Sequence, residues 1–128
     1  MHLTRVHHIA IICSDYQKSK DFYCNALGLT ILREVYRESR KSYKLDLSLN
    51  GEYVVELFSF PDSPARPSYP EALGLRHLAF EVSDLDKVVV ELKQKNIEVE
   101  KIRTDEFTSK RFTFIADPDG LPIEFYEK

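Results

Sequence analysis

Residues 6–15 read VHHIAIICSD, and residues 75–84 read LRHLAFEVSD. In each stretch a histidine, His8 or His77, stands seven residues before an aspartate. Strand-forming apolar residues follow each histidine, and the aspartate is a residue type that caps the start of a helix. Both halves of the chain are therefore predicted to contain the same succession of a strand and a helix.

A glutamate in each half repeats together with the histidine. Glu56 follows His8 by 56 − 8 = 48 residues, and Glu124 follows His77 by 124 − 77 = 47 residues. Taken singly, each would be interpreted as a strand histidine or a solvent-facing acid. Because both residue types recur at equivalent points, we predict that the four residues bind one divalent metal ion. Two imidazoles and two carboxylates suit Ni²⁺ or Zn²⁺, and also Mn²⁺, Co²⁺ or Fe²⁺.

The composition is that of a globular domain. The 128 residues are 43% hydrophobic and 30% charged, and this length suits a single domain. The net charge of −3 lacks the basic excess that nonspecific binding to nucleic acid requires. No apolar run approaches the roughly 20 residues of a membrane span, and the first residues do not resemble a signal peptide. We expect a cytoplasmic protein that binds a small molecule, and neither nucleic acid nor membrane.

The first module is predicted as a βαβββ unit at about residues 1–60. Apolar periodicity and capping residues place a strand at 6–12, a helix at 16–27 and strands at 29–35, 42–49 and 53–58. Asn50-Gly51 is predicted to join the last two strands as a tight hairpin. Four prolines then indicate a linker at about residues 61–74, because proline withholds a backbone donor from a sheet.

The second module, at about residues 75–128, repeats this order. A strand is predicted at 76–82, a helix at 85–95 and further strands at 97–102, 111–115 and 121–126. The turn Asp117-Pro118-Asp119-Gly120 takes the place that Asn50-Gly51 holds in the first module. The two cysteines, Cys13 and Cys24, lack CxxC spacing and are expected to stay reduced.

Strand alternation predicts where the four candidate ligands point. Side chains of successive strand residues lie on opposite faces of a sheet. The apolar positions of each strand should face the helix, which leaves the histidines and glutamates on the other face. By the same alternation His7 should point away from His8, so we exclude His7 as a ligand, and we exclude His2 as part of a frayed terminus.

Motifs along essentially the whole chain resemble the vicinal oxygen chelate superfamily. They are Val6-His7-His8-Ile9-Ala10-Ile11 with Asp15, Ser19 and Phe22-Tyr23, then Leu75-Arg76-His77-Leu78-Ala79-Phe80, and Asp117-Pro118-Asp119-Gly120 before Glu124. The resemblance implies an α+β fold in which two tandem βαβββ modules form a cupped eight-stranded mixed sheet around a metal site.

Within that superfamily, the set His8, Glu56, His77 and Glu124 is most similar to the metal ligands of short bacterial glyoxalase I, or lactoylglutathione lyase. This resemblance implies isomerisation of a hemithioacetal of methylglyoxal, through proton abstraction and a metal-stabilised ene-diolate, with glutathione or another small thiol as co-substrate. It implies Glu124 as the base and Glu56 as the other acidic ligand with a catalytic role. It also implies a homodimer, and leaves open whether the modules pair within one chain or across two.

Three alternatives remain open at this point. An Fe(II) ring-cleaving dioxygenase would use His8, His77 and Glu124 as a facial triad. An epimerase of the same superfamily would keep the metal, although epimerases commonly carry glutamine at the position of Glu56. A non-catalytic protein that binds an antibiotic would not react with its ligand. Anionic groups of a substrate would need cations, for which the candidates are Arg37, Arg40, Lys110 and Arg111, followed by Arg66 and Arg103.

Overall fold

The computed structural model describes all 128 residues, which form two compact units, residues 1–64 and 65–128. Each unit has the element order βαβββ and contains one four-stranded mixed sheet. The predicted α+β class and the two βαβββ modules are therefore confirmed. The eight strands are hydrogen-bonded as two sheets of four, one in each unit. None of the helices combines the length and apolar character needed to span a bilayer.

The first unit contains strands β1 to β4 and helix α1. Their bounds are β1 Ile9–Cys13, α1 Tyr16–Asp21, β2 Thr30–Arg37, β3 Ser42–Leu49 and β4 Glu52–Ser59. The sheet order is β1-β4-β3-β2, with β1 parallel to β4 and the other pairs antiparallel. Helix α1 begins where predicted, because the Asp15 carboxylate accepts a hydrogen bond from the Lys18 backbone N–H.

The predicted helix at 16–27 is interrupted after one and a half turns. Phe22–Ala26 form a π-helical turn, in which the Leu27 N–H donates to the Phe22 carbonyl. Gly28 follows with a positive φ of 79°, a conformation that ends helices and favours glycine. The predicted end of the helical segment is thus correct, although its interior differs from a regular α-helix.

The core of the first unit lies between the sheet and the helical segment. Leu45, Leu47, Val55 and Leu57 on the central strands β3 and β4 are completely buried. Tyr23 of the helical segment is buried as well. Since Glu56 lies between Val55 and Leu57, alternation places it on the opposite face of the sheet, as predicted.

The second unit repeats this architecture with shorter strands. The bounds are β5 Leu78–Val82, α2 Leu85–Gln94, β6 Arg103–Thr104, β7 Arg111–Ala116 and β8 Pro122–Glu127. The sheet order β5-β8-β7-β6 is equivalent to that of the first unit. The Asp84 carboxylate caps α2 by accepting from the Lys87 N–H, as Asp15 does for α1. Leu85 and Ile123 are completely buried between α2 and the sheet.

The strand predicted at 97–102 is wrong. The strand β6 that pairs with β7 consists of only Arg103 and Thr104. Ahead of it, the Glu100 N–H donates to the Phe114 carbonyl, but the Glu100 carbonyl accepts from the Thr113 hydroxyl instead of a backbone N–H. This side-chain bond replaces a ladder bond, so the segment follows β7 without forming a regular strand.

The two hairpins differ in their turns but are equally long up to the glutamates, since Glu56 follows its partner Asp46, and Glu124 its partner Phe114, by ten residues. Asn50 and Gly51, with φ of 51° and 82°, form a two-residue turn between the paired residues Leu49 and Glu52. The register of β3 against β4 then shifts by one residue between Leu47 and Ser48. In the second unit no shift occurs between β7 and β8. The irregularity in the first ladder therefore offsets its shorter turn, and the one-residue difference between the two histidine-to-glutamate counts arises before β3 and β7.

Candidate metal centre

Each unit brings one predicted histidine close to its predicted glutamate. His8 Nε2 lies 3.8 Å from Glu56 Oε1, and His77 Nε2 lies 2.9 Å from Glu124 Oε2. The glutamate side chains are only 15% and 13% exposed, and the histidines 35% and 29%. Carboxylates that are this buried need a cationic or hydrogen-bonding partner, because burying a lone charge is costly.

The two pairs occupy the same register in their sheets. In the parallel ladder of the first unit Ala10 is paired with Glu56, and in the second unit Ala79 is paired with Glu124. His8 and His77 each stand two residues before that alanine. Each histidine immediately precedes the first residue of its strand, β1 or β5, so the shared register leaves both histidines next to the glutamate of the neighbouring strand. The sequence repeat is thus also a repeat of geometry.

The donor atoms fit a borderline divalent cation. Imidazole nitrogen and carboxylate oxygen are ligands of Zn²⁺, Ni²⁺ and Fe²⁺. In both units the histidine Nε2 lies next to a carboxylate oxygen of the glutamate. No group of three or more His, Cys, Asp or Glu side chains has a metal-binding arrangement. Each unit therefore presents two donors, which is half of the predicted set of four.

Glu56 is embedded in a polar network that sequence reasoning missed. The Tyr53 hydroxyl lies 3.0 Å from Glu56 Oε2 and 2.8 Å from Asp46 Oδ1. Lys44 Nζ lies 2.7 Å from Asp46 Oδ1 and 3.4 Å from Glu56 Oε2. Asp46 is the cross-strand partner of Glu56, so the register of β3 against β4 builds this network. Its sequence signal was the alternation of Lys44, Asp46 and Ser48 with buried leucines on β3.

This network shifts the pKa of the Asp46 carboxyl and the pKa of the Tyr53 hydroxyl. Burial would raise the pKa of the Asp46 carboxyl, but hydrogen bonds from Lys44 and Tyr53, and attraction to Lys44 and Arg33, outweigh burial and lower the pKa. Burial, together with the hydrogen bonds to Asp46 and Glu56, raises the pKa of Tyr53 well above its ordinary value. Tyr53 therefore stays protonated and is held between two carboxylates as a hydrogen-bond donor.

We expect Asp46→Asn to lower the free energy of unfolding by about 2 kcal/mol at pH 7, since hydrogen bonds to charged groups contribute about that much. The pKa of Asp46 is lower in the folded than in the unfolded protein, so its stabilisation is present above roughly pH 4 and is lost as the pH falls through the folded pKa. The difference between wild type and variant should therefore shrink between about pH 5 and pH 3 in urea titrations.

Asp62→Asn provides the control for this titration. Asp62 is exposed at a positive φ of 57°, a conformation that asparagine also adopts, and it forms no ion pair. Its replacement should change the unfolding free energy by less than about 0.5 kcal/mol at any pH. A deficit of Asp46→Asn that stays constant down to pH 3 would contradict the role assigned to the ionised carboxylate.

Glu124 has much simpler surroundings than Glu56. Its cross-strand partner is Phe114, at the position that Asp46 holds in the first unit. The His77 ring meets the Phe114 ring edge to face, with 5.1 Å between the centroids. Apart from His77, no cation or hydroxyl contacts the Glu124 carboxylate. The Glu124 carboxylate is thus oriented by the histidine alone, beside an aromatic wall.

The prediction that strand alternation turns His7 away from His8 was wrong, while the exclusion of His7 as a metal ligand stays a prediction. Strand β1 begins only at Ile9, so His7 and His8 precede it and alternation does not govern them. His7 Nδ1 lies 2.8 Å from His8 Nδ1, and the two rings also contact the Tyr53 ring, with centroids 5.2 and 4.9 Å away. His7 therefore orients the His8 ring and belongs to the surroundings of the candidate site.

The four predicted substrate-binding cations have different environments. Arg111 forms ion pairs with Asp86 at 2.9 Å and with Glu127 at 2.8 Å, so its positive charge is already compensated within the chain. Lys110 is exposed in the loop before β7 and forms no ion pair. Arg37 and Arg40 lie against the aromatic rings of Phe58 and Phe60 at the end of the first sheet.

A cavity of about 910 Å³ lies within the second unit beside His77. Its walls come from the linker, the segment before β6 and the strand β7; they include Arg66, Tyr69, Arg103 and Phe114. The Arg103 guanidinium lies over the Phe112 and Phe114 rings, 5.1 and 5.5 Å from their centroids. The volume is typical of small-molecule sites, and His77 is the only predicted ligand that lines it.

The chain is similar in sequence and in overall fold to known proteins. The family described as Glyoxalase/Bleomycin resistance protein/Dioxygenase superfamily matches residues 5–125. The uncharacterized protein YwkD of Bacillus subtilis (strain 168) is 66% identical over 128 residues, which are 100% of both chains. The crystal structure of a glyoxalase family protein from Enterococcus faecalis is 49% identical, with a TM-score of 0.92 and coverage of 99% of this chain and 100% of that one.

A more distant likeness includes an enzyme of named activity. The structure of the trypanothione-dependent glyoxalase I of Leishmania major is 25% identical, with a TM-score of 0.74 and coverage of 98% of this chain and 87% of that one. The family match spans nearly the whole chain, and the fold of two βαβββ modules agrees with it. The chain belongs to the glyoxalase, bleomycin resistance protein and dioxygenase superfamily.

Proposed function

We propose that this protein is a divalent-metal-dependent lyase of the glyoxalase I type, which isomerises a hemithioacetal formed from an α-oxoaldehyde and a small thiol. The observation that carries the proposal is the pair of His–Glu contacts at the same register of two sheets. The similarity to the Leishmania major glyoxalase I supports the reaction class. Among small thiols, glutathione is the first candidate co-substrate.

The proposed metal ligands are His8, Glu56, His77 and Glu124. A bound Ni²⁺ or Zn²⁺ would supply positive charge that stabilises negative charge on the substrate oxygens when a proton leaves carbon. The two pairs that complete one site come from a single chain or from two chains of a homodimer. In either case the proposal requires one ion per chain, because each chain contributes four ligands.

The surroundings of the two glutamates support different roles for them. Glu56 is held by Tyr53 and Lys44, so its carboxylate is fixed and compensated. Glu124 is contacted only by His77 and faces Phe114, so its oxygens are free to exchange a proton with substrate. We therefore propose Glu124 as the general base that takes the proton from one carbon and returns it to the neighbouring carbon, and Glu56 as the charge-balanced acidic ligand.

The proposal is tested by removing and restoring metal. The protein is stripped with a chelator, reloaded separately with Ni²⁺, Zn²⁺, Mn²⁺ and Fe²⁺, and assayed with methylglyoxal and glutathione or other small thiols. We expect no thioester formation by the stripped protein, and restored formation with one bound ion per chain. Two ions per chain would contradict the shared site.

Other outcomes of the same experiment would point to the rival functions. Oxygen consumption with a catechol in the Fe²⁺-loaded protein, without thioester formation, would replace the lyase by a ring-cleaving dioxygenase. Tight binding of metal or of a small molecule without any turnover would favour an epimerase with another substrate or a protein that only sequesters its ligand.

A further inference from the structure

One face of the sheet in the first unit carries more cations than carboxylates. The charged side chains on and next to this face are Arg33, Arg37, Arg40, Lys44, Asp46 and Glu56. Its two carboxylates are compensated, since Asp46 has Arg33 at 3.6 Å and Lys44 at 2.7 Å, and Lys44 lies 3.4 Å from Glu56. Arg37 and Arg40 are left without a carboxylate partner. This end of the face is therefore positively charged.

Arg37 is held against two aromatic rings. Its guanidinium carbon lies 5.0 Å from the Phe58 centroid and 5.8 Å from the Phe60 centroid, within the range of cation–π contacts. One terminal nitrogen donates to Ser42 Oγ at 3.2 Å. The Nε–H is buried and has no hydrogen-bond partner. Buried donors are almost always satisfied in folded proteins, so the hydrogen-bonding capacity of this guanidinium is incompletely used within the chain.

Arg40 brings a second guanidinium to the same rings. Its guanidinium carbon lies 5.1 Å from the Phe60 centroid, and the Phe58 and Phe60 rings stack with centroids 5.5 Å apart. Glu38, the nearest acid in sequence, forms no ion pair with either arginine. Two like charges that share one ring repel each other, and an anion bound between them would remove the repulsion.

We propose that Arg37 and Arg40 form a subsite for the anionic group of an organic substrate, a carboxylate or a phosphate, whose adjoining part lies against Phe58 and Phe60. Planar guanidinium groups bind both anions through paired hydrogen bonds. Glu56 and Phe58 are same-face neighbours on β4, roughly 7 Å apart. The substrate class is thus an anion whose charged group is several bonds from its reacting oxygens. Only the distance between the charged group and the reacting oxygens rests on the proposed function.

The test titrates simple anions into metal-free, ¹⁵N-labelled protein and follows backbone amides by NMR. The probes are benzoate and phenyl phosphate, with benzyl alcohol as the neutral analogue. We expect shifts at residues 37–42 and 58–60 with both anions and none with the alcohol. The preferred anion will show whether the subsite suits a carboxylate or a phosphate. In Arg37→Gln/Arg40→Gln the affinity should fall by about 10- to 100-fold.

Lys87→Gln/Lys93→Gln is the matched control. It removes the same number of positive charges from exposed positions of α2, where neither lysine forms an ion pair. This double replacement should change probe affinity by less than about twofold, because exposed charges outside the subsite are largely screened by salt. Arg40→Gln alone removes only an exposed side chain and should still weaken binding by about 3- to 10-fold, which excludes misfolding of the arginine double variant as the cause.

Two results would overturn the subsite: unchanged affinity of the anions for Arg37→Gln/Arg40→Gln, or an equal loss of affinity in Lys87→Gln/Lys93→Gln. Failure of the proposed function is separate, because it is measured by metal uptake and thioester formation in wild-type protein. A protein that takes up no metal but binds benzoate through Arg37 and Arg40 retains the subsite. A protein that turns over hemithioacetal but binds anions independently of both arginines retains the function and loses the subsite.

Discussion

Glu124→Gln is expected to lower kcat for thioester formation by about 10²- to 10⁴-fold, the usual contribution of a general base. Glutamine keeps the size of the side chain and an oxygen that can bind metal, but its amide does not accept a proton from carbon at neutral pH. The metal content of the reloaded variant should therefore remain near one ion per chain. Steady-state kinetics and metal analysis on the same preparation check both parts of this result.

Glu56→Gln is the matched comparison in the other module. Glu56 occupies the equivalent register position but is already held by Tyr53 and Lys44. Glutamine keeps a metal-binding oxygen here too, so the metal content should again stay near one ion per chain, while kcat should fall far less than in Glu124→Gln. If Glu56→Gln were the more damaging change, the base would have to be assigned to the first module. If Glu124→Gln retained wild-type kcat, the proposed proton transfer would be wrong.

Leu47→Ala is expected to lower the free energy of unfolding by about 3 kcal/mol, because truncation of a buried leucine removes apolar burial and leaves a cavity. Leu47 is completely buried on β3, between its partners Ile31 on β2 and Val55 on β4. It thus contributes to packing across three strands on the helix side of the sheet. Urea unfolding followed by circular dichroism measures the loss.

Leu49→Ala is the control for this substitution. Leu49 lies two residues further along β3, on the same face, but is 37% exposed at the end of the strand. Its truncation should cost less than about 1 kcal/mol, since little additional apolar surface loses burial. Equal losses for the two variants would mean that the helix-side face of β3 is not the core of the first unit.

Much of the fold could be predicted because the decisive signals are local. The spacing from His8 to Asp15 and from His77 to Asp84 predicted both strand–helix units, and the structure shows both aspartates as helix caps. Asn50-Gly51 predicted its hairpin, since two consecutive residues with positive φ favour asparagine and glycine. The segment at 97–102 was mispredicted because Thr113, a residue distant in sequence, takes the carbonyl that a ladder would use.

The candidate site, like the fold, could be predicted only in part from the sequence. The repeated residue types and their counts predicted which histidine and glutamate belong together, and the structure places each pair at the same register. The placement of His7 could not be predicted, because it depends on β1 beginning at Ile9. The network around Glu56 also could not be predicted, because Lys44, Asp46 and Tyr53 meet the glutamate only through the pairing of β3 with β4.

The sequence by itself determined the two βαβββ modules, the helix caps, the hairpin turn and the four repeated residues, because backbone conformation and strand alternation depend on neighbours along the chain. Only the tertiary structure decided that the two repeated glutamates have chemically different surroundings. Strand pairing places Asp46 opposite Glu56 but Phe114 opposite Glu124, so one glutamate is fixed by a hydroxyl and a cation while the other is contacted by histidine alone.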